Sequence, residues 1–91
     1  MIADFRSKVL ERLWRKNDVR GVNPQHVRKL QRLLIALSLA REIEDLNIPE
    51  YRLHKLQGES DRWSLRVNAN WRVTFTFRDG EASAIDYEDY H

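Results

Sequence analysis

Apolar side chains repeat with a helical period at the start of the chain. Six of them are spaced three or four residues apart or lie beside that stripe: Ile2, Phe5, Val9, Leu10, Leu13 and Trp14. Side chains at this spacing share one face of a helix. The pattern predicts an amphipathic helix over residues 3–16, ended by the polar stretch 17–21.

A second helical pattern begins at Asn23-Pro24. Asparagine caps a helix with its side chain and proline is tolerated at the first helical position, so this pair marks a start. The apolar face that follows consists of Val27, Leu30, Leu33, Leu34, Leu37 and Ala40. We expect this helix to run to about Ala40. A short third helical turn is expected at 42–46, before Pro49 stops it.

After Pro49 the apolar period changes from 3.6 residues to two. Alternation of apolar and polar side chains predicts half-buried antiparallel strands, and Asp79-Gly80 is a hairpin signal between two of them. The expected strands cover residues 51–56, 63–67, 71–78 and 82–87. The predicted fold is therefore α+β, with two or three helices packed on one face of a mostly antiparallel sheet of about four strands. We expect a single domain spanning residues 1–91.

The composition is that of a small globular domain. The chain has 91 residues, of which 42% are hydrophobic and 33% are charged. It contains no cysteine, which excludes disulfides and thiolate metal sites. Charged residues interrupt the first helical stretch, so neither a signal peptide nor a membrane span is expected there. We expect a soluble, cytoplasmic protein.

The net charge of +2 hides an uneven distribution. Residues 51–78 hold six Arg or Lys against two acids, whereas residues 79–91 hold five acids and no Arg or Lys. If the apolar side chains of the strands face the helices, alternation exposes the others: Arg66, Arg72, Thr74, Thr76 and Arg78. A basic sheet face suits a polyanion such as nucleic acid. On charge alone, however, the simpler interpretation is that these charges solvate a small domain.

Two histidines are the candidates for acid–base chemistry, because imidazole gives or takes a proton near neutral pH. His54 lies in the first expected strand, with a parity that allows it to join the arginine face, and His91 follows the last strand. Considered alone, His54 is more often a hydrogen-bonded structural residue. His26 is expected at the surface. Metal-dependent hydrolysis is disfavoured, since no paired-ligand spacing such as His-x-x-x-His occurs.

Four sequence blocks resemble a known family. They are Tyr51-Arg-Leu-His54-Lys-Leu-Gln-Gly58, Trp63-Ser-Leu-Arg-Val, Asn68-Ala-Asn-Trp-Arg72-Val-Thr-Phe75 and Asp86-Tyr-Glu-Asp-Tyr-His91. Over essentially the whole chain, the sequence is similar to the HigB toxins of the RelE superfamily. The resemblance implies a RelE-like fold and a ribosome-dependent messenger RNA endonuclease of a type II toxin–antitoxin system. It also implies a helix-turn-helix, HigA-like antitoxin, through which alone operator DNA is contacted, and it implies no cofactor or metal.

The resemblance further implies which residues act. It matches the family's catalytic group to His54, Asp89, Tyr90 and His91, and a phosphate-contacting arginine to Arg72. Further contacts to RNA are expected at Lys55, Gln57 and Arg66. Some relatives have a lysine at position 57 and a proline at position 55, so we expect the basic charge to have moved across this loop. Asp89 is expected to orient a histidine, and Tyr90 to stack on or hydrogen-bond to the substrate.

Metal-free RNA cleavage is chemistry that these residues can perform. A base takes the proton of a 2′-hydroxyl, the resulting oxygen attacks the adjacent phosphorus, and an acid protonates the departing 5′-oxygen. We expect His54 as the base, His91 as the acid, with the two assignments exchangeable, and Arg72 on the phosphate. The alternative is a non-catalytic module whose basic face holds RNA or an acidic partner, with Trp63 and Trp71 as stacking platforms. The alternation of both tryptophans with core residues favours core positions for them instead.

Overall fold

The protein is described by a computed structural model that covers residues 1–58 and 61–90. Within these residues the helices are α1 (Lys8–Lys16) and α2 (Val27–Leu39), and the strands are β1 (His54–Lys55), β2 (Arg62–Arg66), β3 (Trp71–Arg78) and β4 (Glu81–Asp89). Short 3-10 turns lie at Pro24–His26, Ile43–Leu46 and Pro49–Tyr51. The strands form one antiparallel sheet in the order β1-β2-β3-β4. The predicted α+β class is confirmed.

Helix α1 begins later than the sequence pattern predicts. The expected start at residue 3 is wrong, because Ile2 and Phe5 form parallel bridges with Ala82 and Ile85 of β4 instead of helical turns. Backbone hydrogen bonds hold this segment, including one of 2.8 Å from the Ala3 N–H to the Ala82 carbonyl. The Ser7 side chain then accepts the N–H of Leu10 at 3.1 Å and caps the helix. Ile2 and Phe5 still face the core, but from the edge of the sheet.

Helix α2 follows the prediction closely. The Asn23 side chain accepts the N–H of Gln25 at 2.9 Å, and Pro24 opens the 3-10 turn that leads into the helix. The fully buried side chains of its inner face are Leu30, Leu33, Leu34 and Leu37. Burial of one leucine contributes about 1.5–3 kcal/mol, whereas an isolated helix of this length is marginal in water. Packing therefore stabilises α2. The expected third helical turn is confirmed at Ile43–Leu46.

The strand expected at 51–56 is shorter than predicted. Only His54 and Lys55 pair with β2, because Pro49 starts a 3-10 turn that ends with Arg52 in the left-handed region, at φ 46°. The hairpin prediction is confirmed, since Asp79 and Gly80, at φ 50° and 76°, join β3 to β4. Two consecutive left-handed residues match the twist of the strands that they connect.

The core lies between the helices and one face of the sheet. That face buries Leu65, Val73, Phe75 and Ile85 completely against the leucines of α2. Trp63 and Trp71 are half-buried and pack against this core. The parity predicted for the apolar side chains is therefore confirmed, and it fixes which side chains must lie on the opposite face.

His26 is not a surface residue, as the sequence had suggested. Only 3% of the residue is exposed, because it lies where the start of α2 meets the sheet, with Trp71 and Tyr87 beside its ring. The apolar pattern does not indicate that His26 is buried, because its hydrogen-bond partners, Tyr87 and Asn68, lie far away in the sequence. Among the residues that the structure describes, no helix is long and apolar enough to span a membrane.

Candidate active site

Cross-strand pairing brings three of the predicted site residues, His54, Arg66 and Arg72, to one face of the sheet. Directly paired residues of antiparallel strands point to the same face. One row across the sheet contains His54, Ser64, Thr74 and Asp86, and the next row contains Arg66, Arg72 and Glu88. The histidine of the short first strand therefore lies on the same face as two arginines. We call this face, opposite the helices, the site face.

An imidazole and a guanidinium line the same cleft on the site face. The cleft has a volume of about 330 Å³ and is lined by Arg52, Leu53, His54 and Arg72. His54 is exposed, so its ring is accessible to a ligand. A proton-transferring group beside a fixed positive charge is an arrangement that suits reactions at phosphate.

Arg72 is held against the end of the last strand. Its Cζ lies 5.7 Å from the centroid of the Tyr90 ring. The Tyr90 N–H donates to the Asn70 carbonyl at 2.5 Å, which extends the pairing of β3 with β4 by one residue. The tyrosine is thus fixed by its backbone, and its ring supports the guanidinium through a cation–π contact.

Asp89 alternates with Tyr90 and so leaves the site face. It pairs with Trp71, in the same parity as the pair Val73 and Tyr87. Burial raises the pKa of the Tyr87 phenol, and the charge of Asp89 raises it further. Asp89 therefore acts on Tyr87 on the helix side of the sheet. His91 lies outside the described residues.

The three positions expected to contact RNA lie in different surroundings. Lys55 pairs with Trp63 and places its Nζ 5.7 Å from the centroid of the indole ring, away from the site face. Gln57 is exposed beyond the end of β1. Arg66 is half-buried on the site face, where it pairs with Arg72. Of these three, only Arg66 lies in a row with the cleft residues.

The site face is not exposed throughout, which corrects the expectation for Thr74. That residue is fully buried, because the buried guanidinium of Arg62 lies over it. Arg62 donates from Nη2 to Thr74 Oγ1 at 3.0 Å, and from Nη1 to Thr76 Oγ1 at 3.3 Å and to the Ala84 carbonyl at 2.8 Å. Thr74 Oγ1 in turn donates to the Glu88 carboxylate at 2.5 Å. Hydrogen bonds therefore link the buried arginine to the residue paired with Arg72.

The sequence analysis singled out neither Arg62 nor Arg52, and both lie at the site face. Arg52 lines the cleft with His54 and also a neighbouring cleft of about 560 Å³, whose other basic residues are Lys29 and Arg66. A left-handed φ of 46° is costly for an arginine, and strained residues of this kind cluster at functional sites, although Asn17 and Asp79 adopt it here in a helix cap and a hairpin. Nothing in an apolar pattern indicates a left-handed residue. The only signal was a basic side chain two positions before His54.

No group of three or more His, Asp or Glu side chains that would hold a metal ion occurs in residues 1–58 and 61–90.

Two comparisons with known proteins agree with each other. Residues 3–91 match the family described as the RelE-like toxin of the type II toxin-antitoxin system HigB. The chain is also 44% identical, over 92 aligned residues, to the endoribonuclease HigB of Proteus vulgaris. That alignment covers 100% of both chains.

Proposed function

The chain belongs to the HigB family of RelE-like toxins and is an endoribonuclease of a type II toxin–antitoxin system, and we propose that it cleaves messenger RNA bound to a translating ribosome. The observation that carries this proposal is the cleft shared by His54 and Arg72. It combines a group that transfers protons with a cation for the phosphate, on a face that a single strand of RNA can reach.

In the proposed reaction, one imidazole removes the proton of a ribose 2′-hydroxyl. The 2′-oxygen bonds to the adjacent phosphorus, the bond from phosphorus to the 5′-oxygen breaks, and a second group protonates that oxygen. The products are a 2′,3′-cyclic phosphate and a 5′-hydroxyl. We assign the base to His54 and the acid to His91, and the two assignments remain exchangeable. Each proton transfer contributes typically about 10²–10⁴-fold to the rate.

Arg72 stabilises the charge that develops on the phosphate. Its guanidinium presents several donors in one plane, which suits two phosphate oxygens at once. Tyr90 supports that plane from beneath and offers a ring on which a base can stack. Asp89 has an indirect role, since it is paired with Trp71 and influences Tyr87. Arg66 extends the RNA contact on the site face. RNA that passes the sheet edge formed by β1 would reach Gln57 and Lys55 there.

The shape of the site supports the proposed dependence on the ribosome. The cleft is small and open, so it binds a phosphate but has little with which to orient one scissile bond of a flexible strand. Correct orientation accounts for a large part of the rate in such reactions. A ribosome that holds the message in a fixed geometry would supply this contribution of orientation to the cleavage rate.

Membership of a type II system means that an antitoxin is the partner of this toxin. We propose that the antitoxin is a HigA-like protein with a helix-turn-helix domain, that operator DNA is contacted only through it, and that the toxin acts in the cytoplasm, where translating ribosomes are found.

The experiment compares cleavage of one message on programmed ribosomes and as free transcript, with wild-type protein and with His54→Gln. We expect rapid cleavage only on ribosomes, and a loss of about 10²-fold or more in the variant. Lys16→Gln, an exposed change at the end of α1, is the control for handling and folding. Cleavage of free transcript at the ribosomal rate would contradict ribosome dependence. Binding without cleavage would instead favour a non-catalytic RNA-binding module.

A further inference from the structure

The buried ring of His26 joins three parts of the fold. It lies at the start of α2, its Nδ1 is hydrogen-bonded to the Tyr87 hydroxyl on β4, and its Nε2 lies 2.8 Å from Asn68 Nδ2 in the loop between β2 and β3. The ring of Trp71 packs edge-on against it, with 6.1 Å between centroids. The proposed chemistry does not use this histidine, although it is the only buried histidine in the described part of the chain.

The orientation of Asn68 decides which nitrogen of His26 carries the proton. Asn68 Oδ1 accepts the N–H groups of Asn70 at 2.9 Å and Trp71 at 2.8 Å. The amide group of Asn68 must therefore point its NH₂ toward His26, where it donates to Nε2. Since Nε2 accepts, the neutral ring carries its proton on Nδ1 and donates it to Tyr87.

The same asparagine connects His26 to the candidate active site. Asn68 fixes the loop that ends in Asn70, and the Asn70 carbonyl accepts the Tyr90 N–H. Tyr90 in turn lies beneath the guanidinium of Arg72. Only two residues, Asn68 and Asn70, thus separate the buried histidine from the backbone that carries Tyr90.

We propose that His26 is a positioning residue for RNA cleavage, which acts through Asn68 to hold the 67–70 loop, and with it Tyr90 and Arg72, in the productive arrangement. This inference rests on the proposed function for its effect on cleavage. Its structural part, a neutral Nδ1–H ring that accepts from Asn68, stands independently of that function.

A change of protonation would break this connection. Burial lowers the pKa of His26. The titratable group in contact with the ring is Tyr87, on β4, while the loop and β3 face it with the neutral side chains of Asn68 and Trp71. A protonated ring would bring a second N–H against the Asn68 NH₂. Two donors then face each other, and the loop loses its anchor.

The first test determines which nitrogen of the His26 ring carries the proton. Nitrogen-15 NMR of the wild-type protein distinguishes the two tautomers, and the His26 signals are assigned by their loss in His26→Gln. We expect the Nδ1–H form. In Asn68→Asp the carboxylate keeps the acceptor for the loop N–H groups but has no donor for the ring, so Nε2 should become protonated, either in the Nε2–H tautomer or in the imidazolium form that a neighbouring carboxylate favours. An Nε2–H ring in the wild-type protein, or an unchanged tautomer in Asn68→Asp, would overturn the inference.

The second test separates positioning from simple packing. Gln at position 26 keeps an acceptor oxygen near the place of Nε2, whereas Leu fills similar space without one. We expect His26→Leu to lower kcat on ribosomes by about 100-fold with little change in KM, because misplacement of about 1 Å costs that much. His26→Gln should recover most of this loss. Tyr87→Phe, which removes the other partner of the ring and leaves Asn68 in place, should lower kcat less than His26→Leu does.

The third measurement does not depend on cleavage. Hydrogen exchange of the Tyr90 amide should be faster in His26→Leu than in the wild type or in His26→Gln, since that amide is bonded to the loop. If the wild type does not cleave ribosome-bound message, the proposed function fails, and the tautomer and exchange results still decide the structural part. If the wild type cleaves and His26→Leu matches it in kcat and in Tyr90 exchange, the inference is wrong.

Discussion

The guanidinium of Arg72 lies over the ring of Tyr90, with Cζ 5.7 Å from the ring centroid. Arg72 lies near the start of β3 and Tyr90 directly follows β4, so the contact holds the proposed phosphate-binding group and the end of the last strand together. The Arg72 side chain forms no ion pair with another residue of the described ranges. It therefore keeps its charge available for a ligand.

Arg72→Ala should abolish cleavage without unfolding the protein. Loss of a group that stabilises transition-state charge costs about 10²–10³-fold in kcat, while the lost cation–π contact costs only about 0.5–1 kcal/mol of stability. Arg66→Ala should have a smaller effect on cleavage. Thermal melts and ribosome cleavage assays measure both quantities, with Arg78→Ala at the far end of β3 as the matched control. Destabilisation of Arg72→Ala by several kcal/mol would show that its role is structural.

Arg62→Met should destabilise the fold by about 2–3 kcal/mol. The change removes a buried donor to Thr74, to Thr76 and to the Ala84 carbonyl. Arg78→Met is the matched control, because its ion pair with Asp61 is exposed and such pairs contribute about 0–1 kcal/mol. Urea denaturation compares the two variants. Equal losses of stability would mean that the buried hydrogen bonds of Arg62 contribute little.

Arg52→Asn should reduce cleavage without loss of stability. Asparagine tolerates the left-handed conformation better than arginine, so the free energy of unfolding should stay constant or rise by less than about 1 kcal/mol. The positive charge shared by the two clefts is lost, and KM for ribosome-bound message should rise. Arg52→Lys, which keeps the charge, is the matching variant. A variant that cleaves normally would remove Arg52 from the RNA contact.

His26 should make stability depend on pH below neutrality. Burial lowers the pKa of the folded-state ring below 6.5, so the unfolded chain binds the proton first as the pH falls. The contribution of His26 to the free energy of unfolding should be fully present above pH 6.5. Below that pH the free energy of unfolding should decline by at most about 1.4 kcal/mol per pH unit, until the ring in the folded protein is also protonated. Urea melts between pH 5 and 8 should show this decline in the wild type and a weaker one in His26→Gln. Parallel curves would mean that the ring titrates normally.

Deletion of His91 should eliminate cleavage and growth inhibition while leaving the melting temperature nearly unchanged. The proposed acid is removed, whereas β4 and its pairing with β3 end before this residue. Message cleavage on ribosomes and a thermal melt of the shortened protein test this together. His91→Gln, which keeps the chain length, separates the loss of imidazole from the loss of one residue. Full activity of the shortened protein would transfer the acid role to another group.

Much of the fold could be predicted because local patterns agree with it. The buried leucines of α2, from Leu30 to Leu37, keep one helical face, and Asp79-Gly80 suits a tight hairpin whatever surrounds it. Ile2 and Phe5 have the same spacing in a helix as in the observed bridges, so the pattern cannot distinguish the two. Their actual partners, Ala82 and Ile85, lie about eighty residues away.

The candidate site was predictable only in part, for a related reason. Strand alternation is enough to bring Arg66 and Arg72 to one face. The burial of Arg62 depends on hydroxyls supplied by β3, and that of His26 on partners from a loop and from β4. Contacts of this kind form between residues that are distant in the sequence, and they produce no repeating pattern of apolar and polar positions.

The position of β4 between β3 and the N-terminal segment has a consequence for synthesis. This strand comes late in the chain, yet it pairs on one side with β3 and on the other with residues 2–5. A nascent chain that has not yet exposed residues 81–89 leaves residues 2–5 unpaired and one edge of β3 open, and contacts between such distant parts of a chain form slowly. Interrupted translation therefore releases fragments without a sheet that can hold Arg72 against Tyr90. The fold that brings Arg72 to Tyr90 is therefore complete only when synthesis has passed the end of β4.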